Sequence, residues 1–134
     1  MIYKHKVQYY ETDKMQIVHH SNYVRWMEEA RVEFLERVDA PFESLEEMGL
    51  LCPVREVHCK YLGMVRFGET ITIDTHIIEF AGVKMRVGYT MTSADGEVCC
   101  EAESLHCFMH EGRIVSLKKK FPDIYNKIMS APDV

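Results

Sequence analysis

Apolar residues between positions 22 and 38 recur at three- and four-residue spacing, and charged residues fill most of the positions between them. This period gives a helix one apolar stripe, so the pattern predicts a long amphipathic helix over 22–38. The stripe consists of Tyr23, Trp26, Met27, Ala30, Phe34, Leu35 and Val38. Ser21 and Asn22 are both residue types that cap helices, and either can begin this one.

On either side of this helix the pattern is typical of strands. Strands are predicted over residues 2–10, 52–66, 70–79, 83–92, 97–109 and 113–117, and the strand 52–66 is long enough to carry a bulge. Asp95-Gly96 predicts a hairpin turn between two of these strands. Short helices are predicted over 42–48 and after Pro122, and residues 11–20 form a loop before the long helix.

The order of these elements predicts an α+β fold in one domain that spans residues 1–134. The long helix must bury its apolar stripe, so we expect an antiparallel sheet of five or six strands that curls around it. Such a sheet exposes strand edges, which a second copy of the chain can cover. We therefore expect a homodimer at least, and the pattern leaves a homodimer and a homotetramer both open.

Composition narrows the classes of function. The chain has 134 residues, 47% of them hydrophobic, and its formal net charge of −5 argues against general nucleic-acid binding but leaves an anionic ligand open. No apolar run approaches the roughly 20 residues that span a membrane, and residues 1–10 lack the features of a signal peptide. The five cysteines include no CxxC pair, so we expect reduced thiols and a cytoplasmic location.

We expect neither a bound metal nor a separate cofactor. Three adjacent pairs of metal-ligand residue types fall on predicted strands, where neighbouring side chains point to opposite faces and cannot share a zinc ion. These pairs are His58-Cys59, Cys99-Cys100 and His106-Cys107. The sequence has no glycine-rich phosphate loop, which argues against ATP or NAD binding.

Asp13 lies in the loop just before the long helix. A helix start presents unpaired backbone N–H groups and the positive end of a dipole. A carboxylate held close to such donors can activate water or attack an acyl group while the N–H groups stabilise the oxyanion. A loop aspartate considered alone more often caps local N–H groups in an Asx-turn, so this residue by itself leaves both roles open.

The residues around Asp13 narrow this choice. In chain order they are Asp13, Ile17-Val18-His19-His20, Asn22-Tyr23 and Glu29-Ala30-Arg31. This series resembles the signature of the 4-hydroxybenzoyl-CoA thioesterase/YbgC-like family. The resemblance implies the hotdog fold, hydrolysis of acyl-CoA thioesters, and dimers with active sites at the subunit interface. In one departure from the family, Met15 and Gln16 fill a loop that usually contains glycine.

The resemblance also implies roles for individual residues. It makes Asp13 the general base or the nucleophile, without deciding between them, and it makes the backbone N–H of His20 the oxyanion donor. The residues expected to line the substrate pocket are Gln16, His19, Tyr23 and Glu29. Glu29 is also the alternative catalyst if Asp13 lies away from the substrate, and Arg31 is expected to pair with a carboxylate.

The phosphates of coenzyme A need basic residues to bind them. Lys118 opens the densest basic run and Lys84 lies on a predicted strand, and we expect these two lysines to hold the phosphates. The sequence thus predicts a hydrolase of acyl-CoA thioesters that needs no cofactor, since coenzyme A is part of the substrate. A thioesterase acting on acyl carrier protein and a non-catalytic acyl-CoA-binding protein are the alternatives.

Overall fold

In the computed structural model, which describes residues 1–132, a long helix packs against a curled antiparallel sheet. The strands are β1 (Ile2–Lys6), β2 (Leu50–Leu51), β3 (Val54–Tyr61), β4 (Thr70–Phe80), β5 (Lys84–Thr92), β6 (Val98–His110) and β7 (Arg113–Val115). The helices are α1 (Ser21–Arg37), α2 (Phe42–Glu47), α3 (Leu117–Lys120) and α4 (Pro122–Met129), with a 3-10 turn at Tyr9–Glu11. The predicted α+β arrangement of a sheet around a long helix is confirmed.

The sheet contains more strands than predicted. Its order is β1-β4-β5-β6, and β6 also pairs with β3, β2 and β7. Because β6 has 13 residues, it extends past its long neighbours, and the short strands β2 and β7 pair with its last residues. Residues 1–132 therefore form seven strands rather than five or six. A two-residue strand such as Leu50–Leu51 is too short to show an alternating pattern.

The apolar stripe of α1 is buried, as predicted. Trp26 and Met27 are fully excluded from solvent, and they contribute to one continuous core with the inward side chains of the sheet. The inward residues of the two central strands are Ile71, Ile73, Ile77, Met85, Val87, Tyr89 and Met91. Removal of this apolar surface from water is the main force that holds the helix on the sheet. Among residues 1–132, no helix has the length and apolar character needed to cross a membrane.

The first strand is shorter than predicted. β1 ends at Lys6 rather than at residue 10, because the chain turns at Gln8 into the 3-10 turn Tyr9–Glu11. The Glu11 carboxylate accepts a hydrogen bond from the Gln8 backbone N–H at 2.8 Å, which holds this turn in place. A side chain that bonds to the backbone three residues earlier competes with strand pairing, and the strand pattern gives no sign of it.

Only the first part of the predicted strand 52–66 is a strand. β3 has the expected bulge near its start, but it ends at Tyr61. The next residues cross beside the loop that precedes α1, where the Val18 N–H donates to the Val65 carbonyl at 2.8 Å. This crossing brings the end of β3 next to the start of α1.

The helix α1 begins at Ser21, but neither predicted residue caps it. The N-cap residue is His20, whose backbone is already helical and whose side chain makes no capping hydrogen bond. The Ser21 hydroxyl instead hydrogen-bonds Nδ1 of His19 at 2.8 Å. The Asn22 side-chain amide donates to two carbonyls earlier in the chain. Both polar side chains therefore hold the preceding loop rather than the helix N–H groups.

Candidate active site

The loop that carries Asp13 is closed by its own backbone. The Asp13 N–H donates to the Ile17 carbonyl at 2.9 Å, and the Asp13 carbonyl accepts from the Gln16 N–H at 2.9 Å. Gln16 has a φ of 63°, in the left-handed region that favours glycine. The glycine expected in this loop is therefore replaced at a position where the backbone conformation suits glycine.

The Asp13 carboxylate is exposed, and its Oδ1 accepts a hydrogen bond from the Met15 backbone N–H at 2.8 Å. This is the Asx-turn that a loop aspartate favours. Its Oδ2 has no hydrogen-bond partner among residues 1–132. One oxygen fixes the side chain, and the other is available to a water molecule or to an acyl carbon.

Within residues 1–132, one backbone N–H group at the start of α1 is unpaired. The N–H groups of His19, Asn22 and Tyr23 donate to backbone carbonyls. The Ser21 N–H donates to the His19 ring at 3.3 Å. The His20 N–H has no hydrogen bond within the described part of the chain. It lies at the positive end of the helix dipole, where an anionic oxygen is stabilised.

Asp13 and His20 line one cleft of about 430 Å³, which we call the Asp13 cleft. One wall is formed by the loop and the start of α1, and the other by the residues at and after the end of β3. The lining residues are Asp13, Ile17, Val18, His19, His20, Tyr23, Tyr61, Leu62, Gly63 and Met64. The Tyr61 hydroxyl donates to the His20 carbonyl in a long hydrogen bond of 3.4 Å, so the two walls are in contact.

Asp13 also borders a second cleft, of about 940 Å³. We call it the aromatic cleft, because the rings of Tyr9 and Phe67 meet edge to face there with centroids 5.6 Å apart. Its lining residues are Tyr9, Tyr10, Thr12, Asp13, Lys14, Gln16, Arg66 and Phe67. Gln16 thus lines this cleft rather than the Asp13 cleft, and Lys14 and Arg66 supply two cations.

The other two predicted pocket residues at the start of α1 do line the Asp13 cleft. His19 is exposed, and its ring lies 4.2 Å from that of His20, centroid to centroid. Tyr23 is 3% exposed and packs against Trp26 and Tyr61, with ring centroids 4.9 and 5.1 Å apart. Burial raises the pKa of the Tyr23 phenol above its ordinary value. Tyr23 is therefore a neutral wall residue that also belongs to the core.

Glu29 lines neither of these clefts. It accepts a hydrogen bond from the Tyr3 hydroxyl at 2.7 Å and hydrogen-bonds Nδ1 of His5 at 3.0 Å. Burial of Tyr3 and its bond to Glu29 raise the pKa of Tyr3 to about 12. Within one chain, Glu29 joins α1 to β1 and does not face Asp13 across the Asp13 cleft.

The two lysines assigned to the coenzyme A phosphates also lie elsewhere in the fold. Lys84 begins β5 and lines two surface grooves together with Val83 and Leu105. Lys118 belongs to α3, with its ammonium nitrogen 5.7 Å from the centroid of the Tyr125 ring. Neither lysine lines the Asp13 cleft or the aromatic cleft, and their role in binding coenzyme A stays a prediction.

Arg31 has no carboxylate partner in residues 1–132, which corrects the sequence-based expectation. It donates to the Tyr89 hydroxyl at 3.1 Å. That hydroxyl hydrogen-bonds the Ser104 hydroxyl at 2.7 Å, which hydrogen-bonds Nε2 of His106 at 2.7 Å. Burial, and then the nearby Arg31 charge, lower the pKa of His106 to about 4. Tyr89, Ser104 and His106 are almost wholly buried, so this chain of hydrogen bonds belongs to the core and not to the Asp13 cleft.

Glu11 is a buried carboxylate next to the Asp13 loop that the sequence analysis missed. It is 2% exposed, and its carboxylate bonds the backbone N–H of Gln8, the ring of His5 and the indole of Trp26. Burial raises the pKa of Glu11, but these three hydrogen bonds outweigh burial and bring the pKa below its ordinary value. The buried Trp26 is the one available signal in the sequence, because a buried indole N–H usually finds an acceptor.

In the part of the chain that the structure describes, the metal-ligand residue types are scattered over several elements. The five cysteines form no disulfide bond. On β3, His58 is exposed while the Cys59 sulfur lies 3.7 Å from the Met27 sulfur, as expected for neighbours on a strand. Among residues 1–132, no group of three or more His, Cys, Asp or Glu side chains is placed to hold a metal ion.

Comparison with known proteins gives a consistent family and fold. Residues 7–131 match the model of the Thioesterase-like superfamily. The Bacillus subtilis (strain 168) protein "Putative acyl-CoA thioesterase YneP" is 34% identical over 120 residues, which cover 88% of this chain and 87% of that protein. "Acyl-CoA thioester hydrolase YbgC" of Escherichia coli O6:H1 (strain CFT073) is 27% identical over 100 residues, 75% of each chain.

A solved structure supports the fold. The DHNA-CoA thioesterase from Staphylococcus aureus superposes with a TM-score of 0.89 over 96% of this chain and 90% of that chain. Its sequence identity of 22% means that the likeness speaks for the fold alone. With this likeness and the family match, the predicted hotdog fold is confirmed.

Proposed function

Because this chain belongs to the thioesterase-like superfamily and is therefore a hydrolase that acts on thioesters, we propose that it converts acyl-CoA to a free carboxylic acid and coenzyme A. In this proposal the Asp13 carboxylate is the general base or the nucleophile, and the backbone N–H of His20 binds the oxyanion. The names of relatives that are acyl-CoA thioesterases support this substrate class.

One observation carries the proposal. A carboxylate oxygen without a partner and an unpaired N–H group at a helix start, both judged within residues 1–132, border the same cleft. Acyl transfer needs these two groups together, because one activates the attacking oxygen and the other binds the charge that develops on the carbonyl oxygen. Asp95, by contrast, is a loop carboxylate in a hairpin turn between two strands, away from any helix start of the described residues.

Two routes are compatible with this arrangement. As a general base, Asp13 takes a proton from water, the water oxygen attacks the thioester carbon, and the thiolate leaves as the tetrahedral intermediate collapses. As a nucleophile, Asp13 attacks the same carbon and expels the thiolate, and water then opens the resulting mixed anhydride. The His20 N–H would stabilise the oxyanion in either route by roughly 3 kcal/mol, the usual contribution of one such donor.

The aromatic cleft supports coenzyme A as the carrier of the acyl group. Coenzyme A ends in an adenine ring and phosphates, and this cleft offers the rings of Tyr9 and Phe67 beside the cations of Lys14 and Arg66. Rings stack on adenine and cations bind phosphate. Lys84 and Lys118 remain candidates that could contact the phosphates from a second copy of the chain.

The edge strand β3 supports the proposed homodimer. One edge of β3 pairs with β6, and its other edge has no strand partner within residues 1–132. Val54, Val57 and Tyr61 on this strand are 45%, 37% and 46% exposed. An open edge with apolar side chains is a template for pairing with another chain. Pairing of two copies along β3 would place the second copy beside the Asp13 cleft, because Tyr61 lines that cleft.

A thiol-release assay tests the proposed reaction. The purified chain is incubated with aliphatic and aryl acyl-CoA esters of increasing size, and free coenzyme A is measured with a thiol reagent. We expect turnover of at least one ester well above its spontaneous hydrolysis. Absence of turnover for the whole panel would contradict the proposal.

The same assay separates the two alternatives. Acyl groups carried on acyl carrier protein and on coenzyme A are compared at equal concentration, and faster release from the carrier protein would favour the carrier-protein thioesterase. A rise in melting temperature with acyl-CoA, without thiol release, would favour a binding protein, because a ligand stabilises the folded state that binds it whether or not it reacts.

A further inference from the structure

The Glu11 carboxylate joins three separate parts of the chain. Its Oε1 accepts a hydrogen bond from the Gln8 N–H at 2.8 Å and lies 2.8 Å from Nε2 of His5 on β1. Its Oε2 accepts from the indole N–H of Trp26 on α1 at 2.7 Å. A buried carboxylate is costly unless such donors surround it. Three donors from different elements fix this side chain in one orientation.

The backbone carbonyl of Glu11 holds the other end of the Asp13 loop. It accepts a hydrogen bond from the His19 N–H at 2.9 Å and another from the Asn22 side-chain amide at 2.9 Å. His19 immediately precedes the unpaired N–H of His20, and Asp13 follows Glu11 by two residues. Glu11 thus binds both the segment that leads into Asp13 and the segment that leads into the helix start.

We propose that Glu11 is a positioning residue for thioester hydrolysis, and that it fixes the separation between the Asp13 carboxylate and the His20 N–H. This inference depends on the proposed function. Glu11 does not line the Asp13 cleft, so it acts through the backbone rather than on the substrate. A misplacement of about 1 Å between reacting groups can reduce a rate by about 10²-fold. A loop closed by single hydrogen bonds needs a fixed anchor if its catalytic carboxylate is not to shift by that distance.

The substitution Glu11→Gln is the sharpest change at this position. It keeps the shape of the side chain but replaces one acceptor oxygen with an NH₂ group. In one orientation that NH₂ faces the Trp26 indole N–H, and in the other it faces the Gln8 N–H. Either orientation leaves a buried donor without an acceptor. The matched control is Glu33→Gln, which removes a carboxylate on α1 whose partner is the exposed Arg37.

Steady-state kinetics are measured for both variants at a temperature where circular dichroism shows them folded. For Glu11→Gln we expect kcat to fall at least tenfold while KM stays within twofold, because the substrate still binds but its reacting groups are misplaced. For Glu33→Gln we expect both constants to stay within twofold of wild type. If folded Glu11→Gln keeps the kcat of Glu33→Gln, Glu11 is structural only and the proposal is wrong.

A second variant and a second measurement keep the inference testable. Asn22→Ala leaves the Glu11 carboxylate intact and removes the hydrogen bond from the Asn22 side-chain amide to the Glu11 carbonyl. This variant should also lower kcat at unchanged KM.

Amide hydrogen exchange tests the same inference without any need for turnover. Exchange at the His19 N–H should be at least tenfold faster in Glu11→Gln, with β4 and β5 unchanged. Unaltered exchange at His19 would overturn the inference even if the proposed reaction fails in the wild type.

Discussion

Gln16 occupies a position in the Asp13 loop where glycine is expected, and its backbone conformation is strained as a result. Its φ of 63° is a conformation that costs a residue with a side chain roughly 1–2 kcal/mol. The turn survives because the Gln16 N–H is bonded to the Asp13 carbonyl. The strain therefore lies within the loop that positions the proposed catalytic carboxylate.

We predict that Gln16→Gly raises the free energy of unfolding by up to about 1 kcal/mol. Relief of the left-handed strain outweighs the extra entropy that glycine gives to the unfolded chain. The control Met15→Gly, at a neighbouring position without a positive φ, should lower the free energy of unfolding instead. Urea denaturation of both variants measures the difference, and a loss of stability in Gln16→Gly equal to that in Met15→Gly would refute the strain argument.

His106 should make the stability of the protein depend on pH. Its pKa is lowered to about 4 in the folded state, against an ordinary value of 6.5. As pH falls from 6.5 to 4, the unfolded chain binds a proton that the folded chain does not, so stability decreases through this range. Below about pH 4 both states are protonated and this contribution stops changing.

The expected loss from His106 between pH 7 and pH 4 is up to roughly 3 kcal/mol. Chemical denaturation of the wild type and of His106→Gln at both pH values isolates this contribution, because the other titrating groups are common to the two proteins. The wild type should lose more stability than the variant on acidification. Equal losses in the two proteins would mean that His106 is not buried as a neutral ring.

Residue types in the sequence indicate Asp13 and His20 as candidate site residues, but give no indication of Glu11. The first two belong to a local series whose order and spacing carry the information. The role of Glu11 depends on His5 and on Trp26, fifteen residues further along the chain. Only the folded chain brings these partners together. The same holds for Arg31, whose buried partner Tyr89 is 58 residues away.

Among the secondary-structure elements, the start of α1 matters most for the proposed chemistry. The predicted caps Ser21 and Asn22 bond instead to the loop before the helix. Within residues 1–132, neither side chain bonds a helix-start N–H group, and the His20 N–H makes no hydrogen bond. A helix start with a conventional Ser or Asn cap would have used its side-chain oxygen at the same end of the dipole that an oxyanion needs.

Because Asn22 and Ser21 make different hydrogen bonds, their substitution by alanine should lower the free energy of unfolding by unequal amounts. Asn22→Ala should cost about 2 kcal/mol, because Asn22 is 5% exposed and its loss removes a donor from the buried Glu11 carbonyl and from the partly buried His19 carbonyl. Ser21→Ala should cost less than about 0.5 kcal/mol, since Ser21 is exposed and does not cap the helix. Thermal or urea unfolding measures both, and a cost for Ser21→Ala of about 1 kcal/mol or more would identify it as a true cap.

The bounds of the longest strands could be predicted from the sequence, and the existence of the shortest strand could not. β4, β5 and β6 have 11, 9 and 13 residues, enough for alternation to be visible, and their predicted ranges agree with the structure to within one residue. The two-residue strand β2 exists only because β6 offers unpaired residues at its end. The first strand stops early because the chain turns at Gln8, whose N–H donates to the nearby Glu11 carboxylate, and the strand pattern gives no sign of this bond.

For the folded chain as a whole, we predict self-association through β3. Light scattering should give a mass of about twice the 15.7 kDa of one chain. Val57→Lys places a charge on the exposed edge strand and should shift the protein toward a monomer, while Val98→Lys, at an exposed position of β6 that pairs with β5, should not. A wild-type mass of 15.7 kDa at every concentration would contradict the proposed dimer.

The central claim is that the Asp13 carboxylate performs the acyl transfer at the helix start. Asp13→Asn tests it most directly, because the amide oxygen can still accept the Met15 N–H bond that holds the loop, while the negative charge is lost. The control Asp123→Asn removes an exposed carboxylate at the start of α4. In thiol release from acyl-CoA, Asp13→Asn should lose at least about 10²-fold in kcat with an unchanged melting temperature, and Asp123→Asn should equal wild type. A folded Asp13→Asn variant that keeps kcat within a few-fold of wild type would contradict the account.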